Sequence, residues 1–123
     1  MGHDLPYAQE RYTGETARLY RVLDTQLATN EYVAGDFYSI ADMAIWAWYG
    51  QLVLGRLYSA GEFLDVKSYT NVVRWAEQID ARPAVKRGRM VNRAFGEPET
   101  QLHERHDADD FDTQTQDKIG PKD

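Results

Sequence analysis

The 123-residue chain reads as all-α: a bundle of about four helices followed by an acidic, mostly irregular tail. Three observations predict this. Apolar residues recur at spacings of three and four in two stretches, 10–28 and 69–81. A third stretch, 40–58, is apolar nearly all round, the pattern of a helix in the middle of a bundle. Pro83 falls where a proline can open a helix but not continue one.

Residues 1–7 contain Gly2 and Pro6, show no period and read as a lead-in. From Glu10 to Ala28, Tyr12, Thr16, Leu19, Tyr20, Leu23 and Leu27 fall on one face, while Glu15, Arg18, Arg21 and Asp24 lie largely off it. That is a long amphipathic helix. Residues 30–36 (NEYVAGD) break the period with a glycine and turn formers, so they form a loop.

Ser39 followed at the third position by Asp42 resembles a capping box, with aspartate in the role usually taken by Glu or Gln. Tyr38 before the cap and Met43 after it are spaced for a hydrophobic staple. The helix they open is expected to run from Ile40 to Tyr58, with Trp46, Trp48 and Tyr49 on different faces. Residues 60–67 form a loop whose Phe63 and Leu64 are expected to tuck against the bundle. The next helix, Ser68 or Tyr69 to Ala81, carries Tyr69, Val72, Ala76 and Ile79 on one face with Val73 and Trp75 beside it. A fourth, shorter helix runs from Pro83 to about Arg93. Periodicity stops after Gly96, which divides a helical domain, 1–96, from a tail, 97–123.

Charge follows the same division. Residues 1–96 hold eleven acidic and eleven basic side chains; residues 97–123 hold nine and three, which supplies the whole net charge of −6. A neutral body with an acidic tail is poor material for nucleic acid, whose phosphates demand a positive surface. Arg82, Lys86, Arg87, Arg89 and Arg93 do form a basic cluster, but without the aromatic interleaving of single-strand binders. A solvated face, or a docking surface for the acidic tail, suits it better. There is no run of about 18 apolar residues, so no membrane span is expected. With no cysteine there is no disulfide framework, thiolate nucleophile or cysteine zinc site, and a cytoplasmic location is the default.

Few residues invite a chemical reading. His103 and His106, with Asp107 or Asp110, offer metal-ligand atoms, but the i, i+3 spacing departs from the His-Glu-x-x-His zinc pattern. Asp42 inside an apolar helix has the look of a general acid, yet the cap already uses its oxygens, so its role is structural. Trp46, Trp48, Tyr49 and Tyr58 read as core or as the lining of an apolar pocket. Arg11 reads as a solvated charge, or as a partner for Glu15 one turn on.

Four ordered segments carry a family resemblance: LPYAQERYTGETARLYRVLD (5–24), AGDFYSIADMAIWAW (34–48), RPAVKRGRMVNR (82–93) and QLHERHDADDF (101–111). Together they resemble the C-terminal helical domain of cytosolic glutathione transferases, most closely the bacterial Nu class of glutathione-dependent disulfide-bond reductases. The resemblance implies an N-terminal thioredoxin-like domain in complete relatives, which holds most of the glutathione site, so the chain resembles a fragment of that fold. It implies that Arg11, in Tyr7-Ala8-Gln9-Glu10-Arg11-Tyr12, helps bind glutathione, and that Tyr7, Trp46 and Trp48 border the second-substrate pocket. By the same token, the 101–111 stretch is a family marker rather than a metal site.

The function implied is the helical part of a glutathione-dependent transferase or disulfide reductase, inactive alone, with glutathione as ligand and a small electrophile or disulfide as second substrate. The alternative is a helical interaction module that kept the fold without the enzyme. Either way, apolar surface left open is expected to drive homo-oligomerisation. One departure stands out. The family commonly has proline between its two tryptophans, where this chain has Ala47, so a straighter helix is expected there.

Overall fold

A computed structural model describes residues 5–57 and 59–89. These residues are helical, with no strand among them beyond an isolated bridge between Tyr32 and Gly35. In chain order they form α1 (Pro6–Thr29), α2 (Ile40–Ile45), a π-helical turn (Trp46–Gly50), α3 (Gln51–Val53), a 3-10 turn (Val66–Ser68), α4 (Thr70–Asp80) and α5 (Pro83–Gly88). Because α2, the π turn and α3 are continuous, the described residues form four helices, as expected. Contacts divide the chain into two compact units at Glu77/Gln78. The expected domain boundary after residue 96 lies outside the described residues.

The first unit is built around α1. It starts at Pro6, earlier than the period suggests, because proline at the first helical position needs no amide partner and has its φ preset. Its inner stripe is Tyr20, Leu23 and Leu27, all buried. Tyr12, expected on that stripe, is instead exposed. The chain then turns through Tyr32–Gly35, where Gly35 has φ +129°, and runs back along α1, with Gln26 donating to Val33 O and Tyr20 to Tyr49 O. At the turn Tyr32 packs edge-on to Tyr38, and the expected staple partner, Met43, stands half exposed.

α2 opens with the capping box. Ser39 Oγ accepts the amide of Ala41, and the Asp42 carboxylate accepts the amide of Ser39 at 2.9 Å. The straight helix expected at Ala47 is not found: Trp46–Gly50 winds as a π turn, an inserted irregularity that redirects side chains and loosens the backbone ladder. The helix also ends at Val53 rather than at Tyr58. Gly55 (φ +71°) donates to Leu52 O and Arg56 to Gln51 O, the paired bonds of a Schellman cap closed by a left-handed glycine. In the following loop Val66 is the buried residue, whereas Phe63 is exposed. The chain turns there through Asp65, whose left-handed backbone sets the start of the 3-10 turn.

α1 and the start of α4 advance together. Tyr20 stacks on Tyr69, Asp24 meets Asn71, and Arg74 reaches the end of α1. Each helix also caps the other. Asp24 accepts the amides of Asn71 (2.9 Å) and Val72 (3.1 Å), two of the first amides of α4 that have no intrahelical acceptor. Arg74 donates to the carbonyls of Leu27, Asn30 and Glu31, where α1 has no basic residue of its own in its last turn. Both charges also lie at the helix ends whose partial charge they oppose, a favourable arrangement. Sequence reading placed Asp24 largely off the inner stripe of α1; the structure makes it a tertiary N-cap.

Val72, Trp75, Ala76 and Ile79 of α4 are wholly buried. Two indoles tie the central helix to α4: Trp46 Nε1 donates to Ala76 O at 3.0 Å, and Trp75 Nε1 to Asp42 Oδ1 at 2.8 Å. Tyr20 OH donates to Tyr49 O within the π turn at 2.9 Å, and its ring meets Tyr49 edge-on.

Burial, with smaller contributions from Tyr49 and Tyr69, pushes the Tyr20 phenol well above its ordinary range. The folded state therefore holds this proton more tightly than the unfolded chain. The stability it contributes is complete below about pH 10 and declines as pH rises beyond that. Tyr20→Phe, which gives up a bond of about 1 kcal/mol, is expected to be less stable than wild type at neutral pH and to lose stability less steeply in alkali. Denaturant titrations of both proteins between neutrality and alkaline pH check this; parallel alkaline limbs would refute it.

In the second unit α4 ends after Asp80 and α5 begins at Pro83, with Arg82 in extended conformation before it, as a residue preceding proline prefers. Arg89 pairs with Asp80 at 3.5 Å. The helix ends at Gly88, short of the expected end near Arg93; the tail, His103 and His106 lie outside the described residues. Among those described, no helix is long and apolar enough to cross a membrane, and no three His, Cys, Asp or Glu cluster to hold a metal.

Candidate functional site

The first turns of α1 carry Tyr7 and Arg11, one turn apart and therefore on one side of the helix. Both are exposed. Glu15, the partner considered for Arg11, is held instead by Arg18 in a two-point pair (2.7 and 2.9 Å). That pairing, with a lesser contribution from Arg11, keeps the Glu15 carboxyl below its usual range. The Arg11 guanidinium makes no hydrogen bond to a described residue. The first turn of α1 contains no acidic side chain and no side-chain cap, so its amide end adds positive potential near Arg11. Together these features suit a carboxylate.

Beside this face is a cleft of about 620 Å3 lined by Leu5, Ala8, Gln9, Tyr12, Thr13 and Phe63. Leu5, Tyr12 and Phe63 are all more than half exposed, so its walls are apolar and open. A second, larger groove of about 720 Å3 runs between α1 and the returning helix, with Leu19, Val22, Gln26, Val33, Ile45 and Tyr49 on its walls. Sequence reading identified neither. The signal that was available is Val22, an apolar residue off the inner stripe of α1.

The two tryptophans put forward for a pocket are not brought together. Trp46 is buried and fixed by its bond to Ala76 O, which makes it a packing residue. Trp48, two residues on, points away from the core and is 69% exposed. Tyr58 lies outside the described residues. Ser39 and Asp42 stand in the cap, and Asp42 is wholly buried with both oxygens accepting hydrogen bonds, which leaves it no free lone pair directed at a ligand. Among the described residues the arrangement is thus an exposed guanidinium, a group suited to an anion, with apolar walls beside it.

Residues 7–83 match the family described as glutathione S-transferase, C-terminal domain. The chain is 60% identical over 114 residues, 93% of its length, to the disulfide-bond oxidoreductase YghU of Escherichia coli, and spans 40% of that protein. It is 41% identical over 80 residues to a second Escherichia coli disulfide-bond oxidoreductase, YfcG, of which it spans 34%. Among solved structures, the glutathione transferase YghU of Streptococcus pneumoniae, determined in complex with glutathione, superposes with a TM-score of 0.71 at 53% identity. That match covers 72% of this chain and 34% of the other. The chain therefore corresponds to well under half of each of these relatives, at their helical C-terminal end, and it belongs to the glutathione S-transferase C-terminal domain family.

Proposed function

We propose that this chain is the helical portion of a glutathione-dependent disulfide-bond reductase or transferase, and that it contributes to ligand binding without being catalytic alone. The observation that carries the reading is the 60% identity, over nearly the whole chain, to a disulfide-bond oxidoreductase. Arg11 is the proposed glutathione contact: it is exposed, and a guanidinium takes a carboxylate through two parallel hydrogen bonds. Glutathione offers two carboxylates. Tyr7, one turn before it, borders the second-substrate pocket, and a small electrophile or disulfide is the second substrate. The thiol chemistry belongs to a thioredoxin-like partner domain, needs no metal, and suits the cytoplasm.

Calorimetric titration of the chain with reduced glutathione and with glutathione disulfide tests this. Binding in the millimolar range is expected, weakened about tenfold (~1.4 kcal/mol) by Arg11→Ala. Heats that vanish for wild type, or that are unchanged by Arg11→Ala, would overturn the role of Arg11. The first of these results would favour the second reading, a helical interaction module. That reading has one observation of its own behind it, the apolar outer face of α2. On either reading the chain is proposed to self-associate.

A further inference from the structure

The short helix α5 and its two flanking residues carry four cations within eight positions: Arg82, Lys86, Arg87 and Arg89. Arg93 follows in the sequence, and no acidic residue lies between 81 and 96. Lys86 and Arg89 are exposed and Arg82 and Arg87 half-buried, so the charge stands at the surface. Lys86 and Arg89, three apart, share one side of the helix, with Arg82 one turn before Lys86. Asp80 takes Arg89 at 3.5 Å, which offsets one charge of the group. The cations of α1 and α4 are more thinly spread and several are already engaged. Arg18 is held by Glu15, and Arg74 by carbonyls at the end of α1.

The opposite charge is concentrated in the same chain. Residues 97–123 hold nine acidic side chains against three basic. Their densest part, DADDFD (107–112), sets four carboxylates in six residues with no cation among them.

We propose that α5 is a docking surface for the chain's own acidic tail, with the carboxylates of 107–112 held against Arg82, Lys86, Arg87 and Arg89. Charge complementarity is the first argument, and connectivity is the second. Residues 90–106 join the two groups. A tether of that length reaches up to roughly 60 Å when extended, so chain length does not prevent the contact. It also keeps its two ends together at an effective concentration on the order of a millimolar. A foreign polyanion therefore has to displace a segment that is always at hand. Pairs of exposed charges are weak one by one, so the contact depends on their number and fades as salt rises. The tail then acts as a built-in competitor that keeps other polyanions off a basic surface. This reading is independent of glutathione binding, since it uses neither Arg11 nor Tyr7.

Carbodiimide cross-linking of the full chain, which joins a lysine to a carboxylate it touches, tests the proposal by peptide mass spectrometry of the monomer band. The expected product links Lys86 to a carboxylate of 107–112. Lys67, an exposed lysine in the 3-10 turn, serves as the comparison and should give little. The Lys86 product should fall at least about tenfold in about 0.5 M sodium chloride. It should fall similarly in the Arg87→Gln, Arg89→Gln double variant, which keeps Lys86 and is checked for wild-type circular dichroism. A second measurement uses heparin as the probe polyanion. Replacing Asp107, Asp109, Asp110 and Asp112 together by asparagine should tighten heparin binding at least about tenfold by unmasking α5. Equal yields at Lys67 and Lys86, or no tail product at Lys86, would overturn the proposal. So would a wild-type chain that binds heparin as tightly as the asparagine variant, because the basic face would then be open to outside partners.

Discussion

Asp42→Ala is expected to lower the stability of the chain by about 3–5 kcal/mol, an effect large enough to unfold much of the population at ambient temperature. The magnitude follows from what the carboxylate collects. Its Oδ1 accepts from the Val33 amide at 3.0 Å and from Trp75 Nε1 at 2.8 Å; its Oδ2 accepts from the Ser39 amide and hydroxyl at 2.9 and 3.3 Å. The residue is wholly buried, so removing it leaves several donors with neither protein nor bulk water to bond. Each such orphan costs about 1–3 kcal/mol.

Three separate segments meet at this one group: the loop after α1, the start of α2, and α4. Asp42→Asn is the sharper variant, because each oxygen faces a donor that cannot turn away. An amide put there points its NH2 at the Val33 amide and Trp75 indole in one orientation, and at the Ser39 amide in the other. The asparagine variant is therefore expected to lose most of what alanine loses. Thermal and urea unfolding of the two variants measure this, and an Asp42→Asn protein within about 0.5 kcal/mol of wild type would refute the account.

The local half of that arrangement was legible in the sequence, and the tertiary half was not. Ser39 and Asp42 lie three residues apart, and the capping box is a short-range pattern that spacing alone can reveal. Nothing local marks Val33 or Trp75 as the other donors, since they reach the carboxylate only once the bundle has formed. The same distinction explains Asp24 and Arg74. Each looks like a solvated helix charge, and each caps a helix 40 or more residues away. The inner faces of α1 and α4 were readable because amphipathic helices advertise their orientation through period.

The helix at 40–53 has no such period. A stretch that is apolar all round says that it is covered, but not which side this chain covers, so Trp46 and Trp48 were indistinguishable until one proved buried and the other exposed. Its early end was written in Leu54-Gly55, a left-handed glycine cap that the surrounding apolar residues masked. Of the candidate site, Arg11 came from family resemblance rather than from pattern. The structure adds that it is exposed and that Glu15, its nearest candidate partner, is held by Arg18.

The π turn supplies a pair of substitutions of identical chemistry and opposite expected sign. Gly50 and Gly14 both lie within helices, and Gly50 has an ordinary right-handed backbone (φ −63°), so alanine is conformationally acceptable there. Only the space around them differs. A Cβ on Gly14 would meet nothing within 4 Å, whereas one on Gly50 would overlap the Trp46 indole, 2.6 Å from Nε1 and 2.8 Å from Cγ. That indole is buried and anchored to Ala76 O, so it cannot move aside without giving up its packing and its hydrogen bond.

Gly14→Ala is thus expected to stabilise the chain by about 0.5–1 kcal/mol, through the lower entropy of the unfolded state and better helix propensity. Gly50→Ala is expected to destabilise it by about 2–3 kcal/mol, the cost of overpacking a closed core. Chemical denaturation of the two variants beside wild type gives both numbers, and the fluorescence of Trp46 should report its displacement in Gly50→Ala alone. Two stabilised variants would mean that the indole has room to move and that the close fit at the π turn does not constrain the bundle.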